Sequence, residues 1–124
     1  MRVGVADERG ELGAVCRGSP LFDLGPRTDV LYGCPKAQGL MMLLRGMNPQ
    51  VLAMDEVTAP DDVEALTTAA GCGVALLASI HANGLEDLKL RPVYRVLLEE
   101  KIFHRLVTIR GRGWDRVYAT EVLR

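Results

Sequence analysis

Two apolar runs, residues 51–57 (VLAMDEV), which ends abruptly in two carboxylates, and 74–80 (VALLASI), each follow a stretch of helical periodicity, and this alternation limits how the chain can fold. An apolar run without polar alternation has both faces buried, as an interior strand of a parallel sheet does. Before the first run, Leu40, Met41, Leu43, Leu44 and Met47 recur at about 3.6 residues per turn, starting after Pro35 and ending at Asn48-Pro49. Before the second, Pro60, Asp61 and Asp62 open a helix whose acidic first turn suits the helix dipole, and it runs through Val63, Leu66 and Ala69 to Gly71. Strands that alternate with such helices require right-handed crossovers. The expected class is therefore α/β, three layers around a mostly parallel sheet.

Flanking segments fit that frame. Residues 1–7 read as a short strand, with Val3 and Val5 ahead of the charged triplet Asp7-Glu8-Arg9. Residues 10–28 hold four glycines and two prolines, so a hairpin or an irregular surface excursion is expected there. Residues 85–101 are helical with a break at Arg91-Pro92, and residues 103–109 and 117–122 flank a Gly111 to Gly113 turn as a β-hairpin. A chain of 124 residues is expected to be one domain, residues 1–124. Aromatic residues are only 5%, so the core must be aliphatic.

Charge and cysteines narrow the function classes. A net charge of −1 offers no overall footprint for a polyanion. The C-terminal stretch is locally basic, with Arg105, Arg110, Arg112, Arg116 and Arg124 against Asp115 and Glu121, and reads first as a solvated strand and turn. Cys16, Cys34 and Cys72 lack the paired spacing of a zinc site or disulfide framework and are expected to be reduced thiols. No leader or span-length apolar run is present, so a cytoplasmic protein is expected.

Three expected strands end in polar groups. Residues 51–57 end near Asp55-Glu56, an arrangement with which a phosphoryl-transfer enzyme holds magnesium and polarises water. Residues 74–80 lead into His81-Ala82-Asn83, and residues 1–7 lead into Glu8-Arg9. Every strand of an α/β fold must end in polar residues somewhere, which is the plain alternative for each taken alone. His81 and His104 are the only histidines and have no partner at ligand spacing, so no histidine metal site is expected.

In order and spacing these motifs resemble the secretion ATPases of type II and type IV systems, and among them the stage III sporulation protein AA family. VGVADERGELGA is similar to the family's Asp box, with Asp7, Glu8 and Arg9 matching and Gly10 in place of a serine. DLGPRTDVLYGCPKAQGLMMLLRGMNPQVLAMDEV resembles the stretch from the arginine segment, with Arg27, to the Walker B strand. TTAAGCGVALLASIHANGLEDL resembles the His box, with His81. The likeness covers residues 3–109. It implies part of a RecA-like P-loop NTPase core closed by a C-terminal β-hairpin, using ATP and Mg2+. It further implies a homo-oligomer, a hexameric ring in the family, that acts with other stage III sporulation membrane proteins and powers a secretion-like channel from mother cell to forespore. By the resemblance Asp55 holds the metal, Glu56 activates water, Glu8 assists, His81 senses the γ-phosphate, Arg27 stabilises charge, and Asp7 and Arg9 belong to the nucleotide site.

One element of that family is missing: no GxxxxGK[ST] string occurs in the 124 residues. Gly33-Cys34-Pro35-Lys36 has the wrong spacing, and its proline supplies no N–H. The chain alone is thus expected not to hydrolyse ATP, and a truncated or partial reading frame is expected. A sheet that began at residues 1–7 would also leave that strand's neighbour missing and expose an apolar edge. The rival expectations are a non-catalytic assembly or regulatory module that keeps the fold, and nucleic-acid binding through the basic C-terminus, with no nucleic acid expected on the first reading.

Overall fold

The strand at residues 1–7 lies inside its sheet, not at its rim. In this computed structural model, which describes residues 1–13, 15–16, 19–20 and 22–123, the chain divides into two compact units, Met1–His81 and Ala82–Arg124. The first unit contains, in chain order, β1 (Val3–Asp7), β2 (Val15–Cys16), β3 (Ser19–Pro20), β4 (Thr28–Tyr32), α1 (Lys36–Gly46), β5 (Val51–Met54), α2 (Pro60–Gly71) and β6 (Ala75–Ala78). Its main sheet has four parallel strands in the order β4-β1-β5-β6, and β2 and β3 form a separate antiparallel pair. The α/β class read from the sequence is the class observed.

β4 is the neighbour that the sequence left unassigned. It pairs with β1 from Val3↔Thr28 to Asp7↔Tyr32, so β1 is flanked on both sides. The more exposed apolar side chain on an outer strand is instead on β6, where Leu77 is 66% exposed against 45% for Tyr32 of β4. The excursion read at residues 10–28 contains the β2–β3 pair. Its residues Ala14, Arg17, Gly18 and Leu21, like Arg124 of the basic stretch, lie outside the described residues.

Both helices of this unit follow from crossover geometry. The moves β4 to β5 and β5 to β6 run in one direction across the sheet, so right-handed connections place α1 and α2 on one face, packed against each other. Two glycines set how closely α1 approaches the sheet. A Cβ on Gly4 would stand 2.8 Å from Leu52 Cδ2 and 3.0 Å from Met47 Sδ, and one on Gly39 of α1 would stand 3.2 Å from Cys34 Sγ. Below them Leu40, Leu52, Met54, Val57 and Leu66 are fully buried, the aliphatic core that the scarcity of aromatics demands.

The second unit comprises α3 (Leu85–Leu90), α4 (Pro92–Glu99), β7 (Arg105–Arg110), a single 3-10 turn at Gly113–Asp115 and β8 (Val117–Val122). The helical break falls where Pro92 predicts it: Arg91 is extended and Pro92 opens α4. Asp87 ties the joint together, accepting the Asn83 N–H at 2.8 Å and pairing with Arg91 at 3.0 Å, while the Arg91 guanidinium lies over the Tyr94 ring. The Asn83 N–H, and then Arg91, hold the Asp87 carboxyl below its ordinary value of 3.8. A depressed carboxylate contributes stability above its ordinary value and loses it as pH falls through the depressed one. Protection of the α3 and α4 amides, taken relative to their intrinsic exchange rates, is therefore expected to fall as pH drops below 3.8, and Asp87→Asn to remove that pH step. Among the described residues no helix is long and apolar enough to cross a membrane.

Candidate functional site

Parallel pairing brings the carboxyl ends of β1, β5 and β6 side by side, where the loops of an open α/β sheet carry ligands. β5 stops at Met54, earlier than its apolar run predicts, because the backbone bends there and Glu56 takes φ +53°. A glutamate in the left-handed region costs about 1–3 kcal/mol, so the surrounding contacts must impose it. Ser79, just past β6, does so: its Oγ accepts the Glu56 N–H at 2.8 Å and donates to Asp55 Oδ1 at 2.5 Å. Val57 N–H donates to Ser79 O at 2.9 Å and locks the two loops together.

Around this bend the side chains form ion pairs. The Glu56 carboxylate pairs with the Arg9 guanidinium and lies 4.0 Å from His81 Nε2, while Arg9 also reaches Glu11 at 3.6 Å. His81 itself is largely exposed at the mouth of β6. Asp55, Glu56, Arg9 and His81, read from three separate strand ends, are thus one cluster.

Lys36 is a member that sequence reasoning missed as a site residue. As the first residue of α1 it donates its backbone N–H to Glu8 Oε2 at 3.3 Å, and its ammonium lies 3.5 Å from the same oxygen, 3.4 Å from Asp62 Oδ2 and 3.4 Å from Thr58 Oγ1. Asp62 is buried and also accepts the N–H groups of Thr58 and Ala59 at 3.0 and 3.1 Å, the acid closing the first turn of α2. Lys36 therefore joins the end of β1 to the loop after β5. The signals for it were its place beside Pro35 at a helix start and the Gly33-Cys34-Pro35-Lys36 string, set aside for its spacing.

Two expected members behave differently. Asp7 is only 1% exposed, and its two oxygens accept the N–H groups of Leu12 and Gly13 at 3.1 and 2.9 Å. Its carboxylate anchors the chain after β1. Arg27 precedes β4, and its carbonyl accepts the Val3 N–H at 2.9 Å, so it stands at the amino end of the sheet. At about 3.3 Å per residue, a strand of five residues puts it roughly 16 Å from the Glu56 cluster.

The chain's residues fit magnesium better than they fit phosphate. Magnesium is ordinarily held by one or two carboxylates with water and phosphate oxygens, and half-buried Asp55 can supply one such ligand. Among the described residues no three carboxylate, histidine or cysteine groups converge to hold an ion by themselves. Lys36 is engaged by acids, and no glycine-rich cradle of N–H groups occurs in the sequence.

Against known proteins, the model of the family described as sporulation stage III, protein AA matches residues 1–116. Stage III sporulation protein AA of Bacillus subtilis (strain 168) is 40% identical over 114 residues, which are 91% of this chain and 37% of that protein. The chain thus spans little more than a third of this curated relative's length. No solved structure matches.

Proposed function

The chain belongs to the stage III sporulation protein AA family, and from that premise we propose that it forms the acid half of a magnesium-dependent ATP-hydrolysing site that serves sporulation. The observation that carries this reading is the convergence of Asp55, Glu56, Arg9 and His81 at one sheet edge, with Glu56 held at φ +53°. Asp55 is the ligand for Mg2+, oriented by Ser79. Glu56 takes a proton from the attacking water, and the Arg9 guanidinium paired with it holds its carboxylate in place. His81 reads the γ-phosphate through Glu56, and Glu8, fixed by Lys36, assists from the end of β1.

Bound Mg-ATP supplies the phosphoryl group, and its phosphate cradle comes from outside these 124 residues. Turnover is accordingly not expected from this chain by itself. Arg27, at the far end of its own sheet, acts on the site of a neighbouring copy in a ring, most simply a hexamer. The assembly works in the cytoplasm against other stage III sporulation proteins in the membrane, powering a channel from mother cell to forespore.

Calorimetric titration with Mg-ATP tests the acid half directly. Weak binding, in the millimolar range for want of phosphate contacts, is expected from the unaltered chain and none from Asp55→Ala. Equal affinity in both proteins would sink this reading.

A further inference from the structure

In the second unit the β7–β8 hairpin presents an apolar face that nothing else described in that unit covers. Its antiparallel register pairs Arg105↔Val122, Val107↔Thr120 and Ile109↔Tyr118, and directly opposed residues share a face. On that face Val107, Ile109, Tyr118 and Val122 are each more than half exposed. The turn at the tip carries Trp114, which is fully exposed. A two-stranded hairpin with this much open apolar surface marks an interaction site rather than a core.

Charge identifies the partner. Arg105 is the only charged residue among the three facing pairs, since Glu121 pairs with Leu106 on the opposite side. Arg112 and Arg116 flank Trp114 in the turn with Asp115 as the single acid between them, while Arg110 lies on the opposite face and donates to Asn83 O at 3.3 Å. An apolar face bearing Tyr, a tip bearing Trp and a surrounding set of arginines match the layers of an anionic lipid interface: acyl boundary, headgroup level and phosphate. Single-stranded nucleic acid would stack on Trp114 and Tyr118 but leave Val107, Ile109 and Val122, most of the face, unused. A second copy's hairpin would set arginine against arginine.

We infer that the β7–β8 hairpin docks the protein on anionic membrane surfaces, with Trp114 inserted at headgroup depth. Trp114 is the sole tryptophan, so its emission reports this site alone. The full chain is titrated with vesicles of phosphatidylcholine and of phosphatidylcholine with phosphatidylglycerol, reading Trp114 emission and co-sedimentation. A blue shift and sedimentation with the anionic vesicles alone are expected, weakening about fivefold for each of Arg112→Ala and Arg116→Ala and fading at high salt. These exposed substitutions leave the fold intact, which circular dichroism checks. Four outcomes would each overturn the inference. They are no response to anionic vesicles, an equal response to both vesicle types, quenching by an oligonucleotide without any vesicle response, and a concentration-dependent blue shift in the absence of lipid.

Discussion

Spore formation is expected to survive a swap in which this chain replaces the matching 114 residues of the B. subtilis protein, and to fall when the swapped segment carries Glu56→Gln. The fall should be about a hundredfold or more, the lower bound for losing a positioned general base, provided ATP turnover limits the process. Glutamine keeps the shape of the side chain and can keep a hydrogen bond to Arg9. It removes only the charge and the proton acceptor. Heat-resistant spore counts, with immunoblots to show equal protein, make the comparison. Spores at the parental level from the Glu56→Gln swap would transfer the reading to an assembly module that keeps the fold without the chemistry.

The second large effect is on stability. Asp7→Ala should lower the unfolding free energy by about 3 kcal/mol, because two N–H groups, those of Leu12 and Gly13, lose a charged acceptor in a buried place. For a chain of this size that corresponds to a fall in melting temperature of roughly 10 °C. Asp7→Asn keeps one acceptor and should fall between the two. Were Asp7 a nucleotide ligand instead, Asp7→Ala would abolish Mg-ATP binding and leave the melting temperature alone. Calorimetric melting of the three proteins decides.

Local chemistry decided which parts of the molecule were legible in the sequence. α1, α2 and the break before α4 follow from apolar spacing and from Pro35, Pro60 and Pro92, which act over a few residues wherever they stand. β5 and β6 follow from their unbroken apolar runs. β4 escaped notice because Asp29 and Tyr32 are exposed on an outer strand, so Thr28–Tyr32 never forms such a run. Without β4, β1 looked like a rim strand, and the apolar edge was expected beside it instead of at Leu77 of β6.

The site divides the same way. Residues that directly follow apolar strands, Asp55, Glu56, His81 and Arg9, could be grouped because parallel strands all end on one side. Ser79 and Lys36 are recognisable only from contacts made across 24 and 28 positions of sequence, to Asp55 and Glu8. Arg27 shows the opposite limit. Order along the chain placed it between the Asp box and the Walker B strand, but strand direction puts it at the other end of the sheet.

The left-handed backbone at Glu56 sets heat resistance against inheritance of the carboxylate. Glycine at that position would relieve about 1 kcal/mol of strain, so any lineage screened for thermal robustness alone should drift toward glycine there. If Glu56 is the base proposed above, a lineage that must still form spores cannot follow. Deep mutational libraries read under the two selections should therefore part company at this codon, with glycine enriched under heating and purged by passage through the spore.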